Sequence, residues 1–591
     1  MLLHRTTRTP GRFCRYTRRH TSALVVAALL GGIGVRARAQ APDPDAAAAA
    51  HVLERARKAQ RAFEQFRRFH LPVVYGSYPC DVRIGRYCYW DDNHDLPLPP
   101  EPPRVARERD RLLATLADAA ARAPADDWIA GQYVHYLIEA KRSPDAIAAA
   151  RACAGTRSWC AALLGLALHE AGDDARANIA FDSAIAAMPE SDRCRWTDLS
   201  SWLEGDFAKR YKKLGCTAHD SLNARVWWLA QPLAMRAGRD VRAEFLSRQT
   251  LIHILEHATL ADGSAWQNDI PMLLLRYDYP TSWAKEDDGT LRIADPSSNP
   301  VVGHEPTPSF DVMPSPRALD DPTAAHDDDW SLTARQAITR YAPSYADTLT
   351  PLAHQLARFR RGDSMLVVAA YDVGSDTVWT HHALQAGLVL ASSPTDADIA
   401  RDTIDVDTTE TLTALVPDRA ALMSLEVFAP EARRAARARY GLASLTDSTI
   451  LSDILLLAPH APMQSSLDDV LPAALGSATA AAGDTLGIYW ECYARATPTN
   501  PLTVRLRVVP AKRGWLHGVA HTMHLASTAT PIALEWTDVG TPDGAPGRAI
   551  RLGLRDLPPG RYTLEISVEG HALPRAATSR EITITPRTQQ H

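Results

Sequence analysis

Arg225-Val226-Trp227-Trp228-Leu229 opens the stretch on which the reading of this chain turns. It runs on through a helical pattern from about Val241 to Ala258, then Trp266-Gln267-Asn268-Asp269, and closes on Arg276-Tyr277-Asp278-Tyr279-Pro280 and Trp283. Before it, apolar residues recur at helical spacing; beyond it, after a loop-rich connector, they alternate as in strands. The expected fold is therefore multidomain, α then β: an N-terminal helical solenoid followed by two β-sandwich modules.

The 591 residues leave room for roughly three or four domains. An apolar fraction of 46% with 14 Trp supplies several cores. A net charge of -5 over this length gives no electrostatic reason to bind nucleic acid, and no basic stripe is interleaved with aromatics. Residues 1–39 read as a secretory signal: Arg5 to Arg19 is basic, Ala23 to Val35 is apolar, and Ala37-Arg38-Ala39 supplies small residues for cleavage before Gln40. That apolar run is short for a span and no later one is long enough, so no integral membrane segment is expected after cleavage. The expected location is periplasmic, cell-surface or extracellular. In an oxidising compartment the cysteines gain meaning. Neighbours in sequence pair most simply, Cys80 with Cys88, Cys153 with Cys160 and Cys194 with Cys216, although other connectivities are open. Cys492 lies in an apolar strand pattern and reads as a buried free thiol.

Residues 40–103 comprise an amphipathic helix, about Ala46 to His70, and a disulfide loop carrying Tyr87, Tyr89 and Trp90. Those aromatics read either as a ligand-contact patch or as a structural knot. The knot is preferred, because aromatic clusters more often bury than bind. Asp91, Asp92, His94 and Asp95 lack calcium-loop spacing and read as a solvated loop. Beyond Pro97 to Pro103, residues 104–222 form a helical repeat. Leu164, Gly165, Ala177, Phe181, Ala184 and Pro189 follow the order of the tetratricopeptide pattern, with a weaker copy from Trp128 to Cys153. The small residues let paired helices approach and the proline ends the second helix. Such a solenoid offers a concave face, expected to take a protein or peptide partner.

His253-Ile254-Leu255-Glu256-His257 supplies the enzyme alternative. On a helix both imidazoles reach one zinc while Glu256 acts on its water, the H-x-x-E-H order of inverted zinc peptidases. A further acidic ligand is needed, from Glu286, Asp287 or Asp327 to Asp329. The competing reading is an amphipathic helix with Phe245, Leu246, Thr250, Leu251 and Ile254 inside and histidines at its polar edge. It is preferred because short strings recur easily in a chain with 21 His. No catalytic residue, metal or cofactor is assigned on it.

Pro232-Leu233, Arg242-Ala243-Glu244-Phe245, Arg248, Ala265-Trp266-Gln267-Asn268-Asp269, Arg276-Tyr277 and Pro280 together resemble the GWxTD-domain proteins. These are exported bacterial proteins, often with helical repeats, named for a Gly-Trp-x-Thr-Asp string followed by a strand and an R-Y-G-x-P turn. The chain keeps Trp266, Asp269, Arg276, Tyr277 and Pro280 but has Ala265, Asn268 and Asp278 where the pattern has Gly, Thr and Gly. The resemblance covers Trp227 to Trp283, with a fainter echo at Tyr489 to Tyr493. It implies architecture and export and no catalytic residues. Read locally, Trp266 is a core anchor and Asp269 a turn-fixing carboxylate.

With residues 223–285 as the joint, 286–330 reads as a linker. Residues 331–471 read as a helix from Ser331 to about Phe359 and then the first β-sandwich, with strands at Ser364 to Val373, Leu422 to Phe428 and Ile450 to Leu457. Arg361-Gly362-Asp363 reads as a turn. A linker at 472–483 leads to the second sandwich at 484–591. Its strands run from Leu486 to Arg495, Leu502 to Val509, Pro531 to Thr537, Ala549 to Leu554 and Tyr562 to Val568. Leu557-Pro558-Pro559-Gly560-Arg561-Tyr562 resembles the turn and tyrosine corner of immunoglobulin-like and fibronectin-type sandwiches. Nucleotide loops, G-x-S-x-G elbows, kinase signatures and C-x-x-C pairs are absent. The expectation is an exported, non-enzymatic interaction or scaffold protein of the bacterial envelope. The alternatives are the zinc peptidase and a carbohydrate-binding surface protein using exposed Trp or Tyr on a β module.

Overall fold

A computed structural model describes residues 44–75, 80–91, 97–236, 238–267, 269–287, 299–446, 448–511, 532–541, 544–571 and 573–587. The expected signal segment, Asp92, His94, Asp95 and Asn268 lie outside them. Residues 49–591 form one compact unit. Of the unit formed by residues 1–48, only the start of the first helix is described.

Helices come first: α1 (Pro44–His70), α2 (Pro103–Arg122), α3 (Asp127–Glu139), α4 (Ser143–Ala152), α5 (Arg157–His169), α6 (Asp174–Ala187), α7 (Glu190–Trp196), α8 (Gly205–Tyr211), α9 (Cys216–Ala230), α10 (Asp240–Glu256) and α11 (Ile270–Tyr277). Their starts are written in the sequence. Asp126 and Asp173 cap α3 and α6 by accepting the amides of Ile129 and Arg176, and prolines occupy the first turns of α2 and α4. Helices α3 with α4 and α5 with α6 pack as successive pairs. At Gly165 a Cβ would stand 2.6 Å from ring carbons of Phe181, so α5 and α6 meet this closely only because that residue is glycine. Ala177, Phe181 and Ala184 are buried on the same seam. Pro189 stands at the start of α7. The bridges Cys80–Cys88, Cys153–Cys160 and Cys194–Cys216 are all closed, and Cys492 is a buried free cysteine.

Helix α10 lies across α3, α5 and α6. Gln132 Nε2 donates to the Ile254 carbonyl (2.9 Å), Trp128 Nε1 to that of His257 (3.0 Å), and Arg242 to Asn178 Oδ1 (2.6 Å). Ile254 also packs over Gly131 beside Trp159. Helix α10 thus covers part of the helical region whose concave face was expected to take a partner.

A small sheet closes the helical layer. Its strands are β1 (Val73–Tyr75), β2 (Val82–Ile84), β3 (Tyr87–Tyr89), β4 (Ser282–Asp287) and β5 (Val301–Glu305), in the order β1-β4-β5-β3-β2. Tyr87, Tyr89 and Trp90 are buried in it, which is the knot reading. The expected linker at 286–330 is thus partly ordered: it supplies β5 and a short helix at Pro316–Asp320. Strand β5 pairs with β4, close in sequence, and with β3, some two hundred residues earlier, but sits in a Pro- and Asp-rich stretch without sustained period.

The expected helix from Ser331 to Phe359 is not formed. A 3-10 turn at Ala334–Gln336 is followed by β6 (Thr348–Pro351) and β7 (His354–Arg361). Pro343 and Pro351 lack the amide a helix interior needs. In β7 Leu356 enters one core while Ala357 and Phe359 enter another, so both faces are apolar and strand alternation disappears. There follow β8 (Ser364–Asp372), β9 (Leu384–Ser393), β10 (Asp396–Val406), β11 (Thr409–Pro417), β12 (Ala421–Ala429) and β13 (Arg434–Leu442). Two sheets, β10-β9-β12-β13-β6 and β11-β8-β7, share a core that includes Val367, Tyr371, Leu388, Met423 and Leu425. Arg361-Gly362-Asp363 spans the turn from β7 to β8, with Gly362 at φ 64.

The last unit holds β14 (Leu455–Leu457), β15 (Thr479–Ala481), β16 (Thr485–Glu491), β17 (Leu502–Pro510), β18 (Ile532–Asp538), β19 (Gly547–Gly553), β20 (Gly560–Gly570) and β21 (Leu573–Thr585). Sheets β14-β16-β19 and β15-β21-β20-β17-β18 enclose Trp490, Leu506, Leu564 and Ile566. The expected linker at 472–483 contributes β15. The expected strand from Ile450 shrinks to Leu455–Leu457. Tyr562 Oη donates to the Pro558 carbonyl (2.8 Å), closing a tyrosine corner. Helices precede β sheets, as the sequence indicated. No helix among the described residues is long and apolar enough to cross a membrane.

A buried ion pair fixes the joint to the first β unit. Glu426, fully inaccessible on β12, accepts the amides of Ala234 (2.7 Å) and Met235 (2.8 Å) and faces Arg439 at 3.1 Å. Arg439 in turn donates to the carbonyls of Leu229 and Gln231, and Arg437 to that of Pro232.

Candidate functional site

Glu244 and Arg248 stand one turn apart on α10 and so share a face. Arg248 Nε lies 2.5 Å from Glu244 Oε1, and its terminal nitrogens donate to the carbonyls of Leu275 (3.0 Å) and Arg340 (2.8 Å). The end of α5 brings His169 against the same carboxylate: Nε2 is 2.6 Å from Glu244 Oε2 and Nδ1 is 2.6 Å from Asp174 Oδ1. Burial alone would push His169 down, but hydrogen bonds to Asp174 and Glu244 outweigh it and hold the imidazole well above its ordinary value. Burial likewise works against ionised Glu244, yet Arg248 and His169 bring that carboxyl down to about 2. The trio is a fixed ionic frame.

The frame floors a cleft of about 200 Å³ bounded by α5, α10, α11, the ends of β3 and β5, and residues 340–344. Tyr89, Trp90, Tyr277 and Tyr341 supply aromatic walls. Arg340 enters through its backbone contacts with Arg276 and Arg248, and its side chain is held 2.6 Å from Asp91. Three more carboxylates reach the cleft: Glu170, Asp278 and Glu305. Glu305 accepts the Thr307 amide (3.0 Å) and is pushed up by burial, although hydroxyls of Thr307 and Thr281 oppose the shift.

Asp278 follows α11 at φ 70 and ψ 174, a backbone region essentially reserved for glycine. Its carbonyl accepts Tyr89 Oη (3.1 Å) and its Oδ1 accepts the Tyr279 amide (2.6 Å). Burial, reinforced by the charge of Glu244, raises its carboxyl to about 8 against the pull of Arg248. Its side chain is still 37% exposed, which places it at the mouth. Since His169 and Glu244 are each saturated by partners, neither is available as a general base. Capacity to meet a ligand rests with Asp278, Glu170 and Glu305 and with the aromatic walls.

His253 stays near Glu256 (Nδ1 to carboxylate 4.0 Å) and His257 (ring centroids 6.3 Å), while the further acidic candidates are held elsewhere. Helix α10 ends at Glu256, leaving His257 beyond it at φ -113. His253 lies edge-on to Trp159 with ring centroids 4.7 Å apart. Glu286 pairs with Arg83 on the small sheet, and Asp329 is held by Ser315, Arg317 and the His326 amide. Among the described residues no group of three or more His, Cys, Asp or Glu side chains is placed to hold a metal ion. Trp266 is half-buried at the edge of the main core. Asp269 precedes α11 but is exposed and makes no side-chain cap, so it does not act as the turn-fixing carboxylate expected of it. Arg276 Nε donates to the Ser201 carbonyl, Tyr277 lines the cleft, and Pro280 packs on Gly303. Sequence reading missed His169, Glu170, Glu305 and Arg340. Of the cleft, Glu244, Arg248 and Tyr277 carried the resemblance, and Asp278 marked a departure from it.

No family model matches the chain. No curated protein matches it. Among solved structures it is similar to red sea bream transglutaminase at 12% identity and a TM-score of 0.13, over 40% of this chain and 31% of that one. It is similar to dimeric latent PorU from Porphyromonas gingivalis at 10% identity and a TM-score of 0.19, over 40% of this chain and 20% of that one. The likeness to Salmonella alpha-2-macroglobulin reacted with methylamine is 14% identity and a TM-score of 0.14, over 42% of this chain and 17% of that one. Likenesses at this level carry no argument about function.

Proposed function

We propose that the chain is an exported, non-enzymatic interaction protein of the bacterial cell envelope, related to the GWxTD-domain proteins, that holds a protein partner at the polar cleft of its joint. On this reading α3 to α6 are tetratricopeptide-like repeats whose groove is filled by α10. The two β units are immunoglobulin- or fibronectin-like spacers, and the three disulfides suit an oxidising compartment. The observation that carries the reading is the contrast between a repeat already covered by α10 and a cleft where Glu170, Asp278, Glu305 and the half-buried Tyr277, from separate segments, remain partly exposed. A saturated His169–Glu244 frame recognises more readily than it catalyses, since neither group is available to move a proton.

The test is in-cell crosslinking of the tagged mature protein with residue-level mapping of the linked positions. Links to one reproducible partner that cluster around 277–281, 305–309 and 340–344 support the proposal. Links confined to α2 through α6, or to the β units, sink it.

A further inference from the structure

We propose that the cleft takes the cationic end of a Lys or Arg side chain presented by the partner. The inference rests on the cleft being the partner-binding site, and it names what enters.

Size comes first. About 200 Å³ is some six or seven times the volume a water occupies in the liquid, and it falls below the range for drug-sized ligands. It suits one extended side chain better than a disaccharide or a stretch of peptide. Charge comes next. Within the cleft Arg248 is committed to Glu244 and two carbonyls, Arg340 to Asp91, and His169 to Glu244 and Asp174. Those cations are used up. Among the described residues, Asp278 has only Arg248, at 3.9 Å, while Glu305 is met by hydroxyls and an amide and by no cation. Burial holds both carboxyls above their ordinary values, with Asp278 at about 8 and so largely protonated at neutral pH. An ammonium or guanidinium placed between them would displace that proton and pair with the carboxylate in a partly desolvated site, where charge-assisted hydrogen bonds are strongest. The half-buried ring of Tyr277 adds an apolar wall for the methylene stem. An anionic ligand would gain no countercharge from these carboxyls.

The experiment is calorimetric titration of the full mature chain with N-acetyl-L-arginine amide and N-acetyl-L-lysine amide, using the norleucine and glutamate analogues as neutral and anionic controls. Saturable binding by a basic probe that exceeds the norleucine analogue by at least about tenfold is expected, as for one charged hydrogen bond. Asp278→Asn and Glu305→Gln are each expected to weaken it by a similar factor with circular dichroism unchanged. Equal binding of the norleucine analogue, preference for the glutamate analogue, or binding indifferent to both substitutions would overturn the inference. No binding by any of the four, with crosslinks still mapping to the cleft, would refute the cationic occupant and leave the binding site standing. Crosslinks mapping elsewhere would refute the site itself.

Discussion

Replacing Asp278 with glycine isolates the strained residue of the cleft. A non-glycine residue at φ 70, ψ 174 costs about 1–3 kcal/mol. Glycine removes that strain but adds freedom to the unfolded chain worth about 0.4–1 kcal/mol. The expected net gain is about 1 kcal/mol in the stability of the α11 turn. A pH dependence accompanies it. The folded carboxyl, at about 8, lies above its ordinary value near 3.8, so its contribution is fully present below pH 4 and is lost as pH rises through 8. The advantage of Asp278→Gly is therefore larger at pH 9 than at pH 5. Hydrogen exchange of peptides covering 270–280 reads both effects locally, without requiring a multidomain chain to unfold in one step. A glycine variant that exchanges faster than wild type, or an advantage independent of pH, would refute the reasoning.

Three other changes test the helical packing, the joint and the ionic frame in turn. Gly165→Ala drives a methyl to 2.6 Å from the Phe181 ring and is expected to destabilise the α5–α6 pair by about 1–3 kcal/mol, seen as a lower thermal midpoint by circular dichroism. Glu426→Gln leaves Arg439 buried without its anion, an expected loss of about 3–5 kcal/mol and faster exchange at 229–235; unchanged exchange there would show that the pair does not fix the joint. Glu244, held at about 2, contributes stability above its ordinary value of 4.5 that is lost as pH falls through 2. His169, held high, contributes stability that is full below 6.5 and lost as pH rises through its raised folded value. The trio is thus expected to stabilise most between about pH 4.5 and 6.5, and Glu244→Gln should flatten both limbs of the stability profile.

The helical half was legible because its signals are local. Gly165 and Phe181 sit 16 residues apart on two adjoining helices, and their spacing alone announced a close-packed pair. The three bridges join cysteines no more than 22 residues apart and were legible for the same reason. Strand β7 was misread as helix because both its faces are buried, which erases the alternation that marks a strand. Strand β5 was passed over because it sits in a Pro- and Asp-rich stretch without sustained period, although one of its two partners, β4, is near in sequence. The cleft was half visible. Glu244, Arg248 and Tyr277 were singled out by pattern, and Asp278 stood where that pattern has glycine, but nothing local tells that His169, Glu305 and Arg340 converge on them. Nor did the helical pattern announce that α10 would pack across α3, α5 and α6, since that depends on contacts between residues 64 and 122 positions apart.

A partner held at the cleft and not on the helical repeat would crosslink to one surface and not to the other. The most direct measurement places a photoreactive amino acid at exposed Ser344, on the cleft mouth, or at Ile179, 66% exposed on α6, and crosslinks in cells. The account predicts a discrete adduct from position 344 that is lost when Asp278→Asn and Glu305→Gln are combined, and none from position 179. An adduct from position 179 alone, or one from position 344 that survives the double substitution, would contradict it.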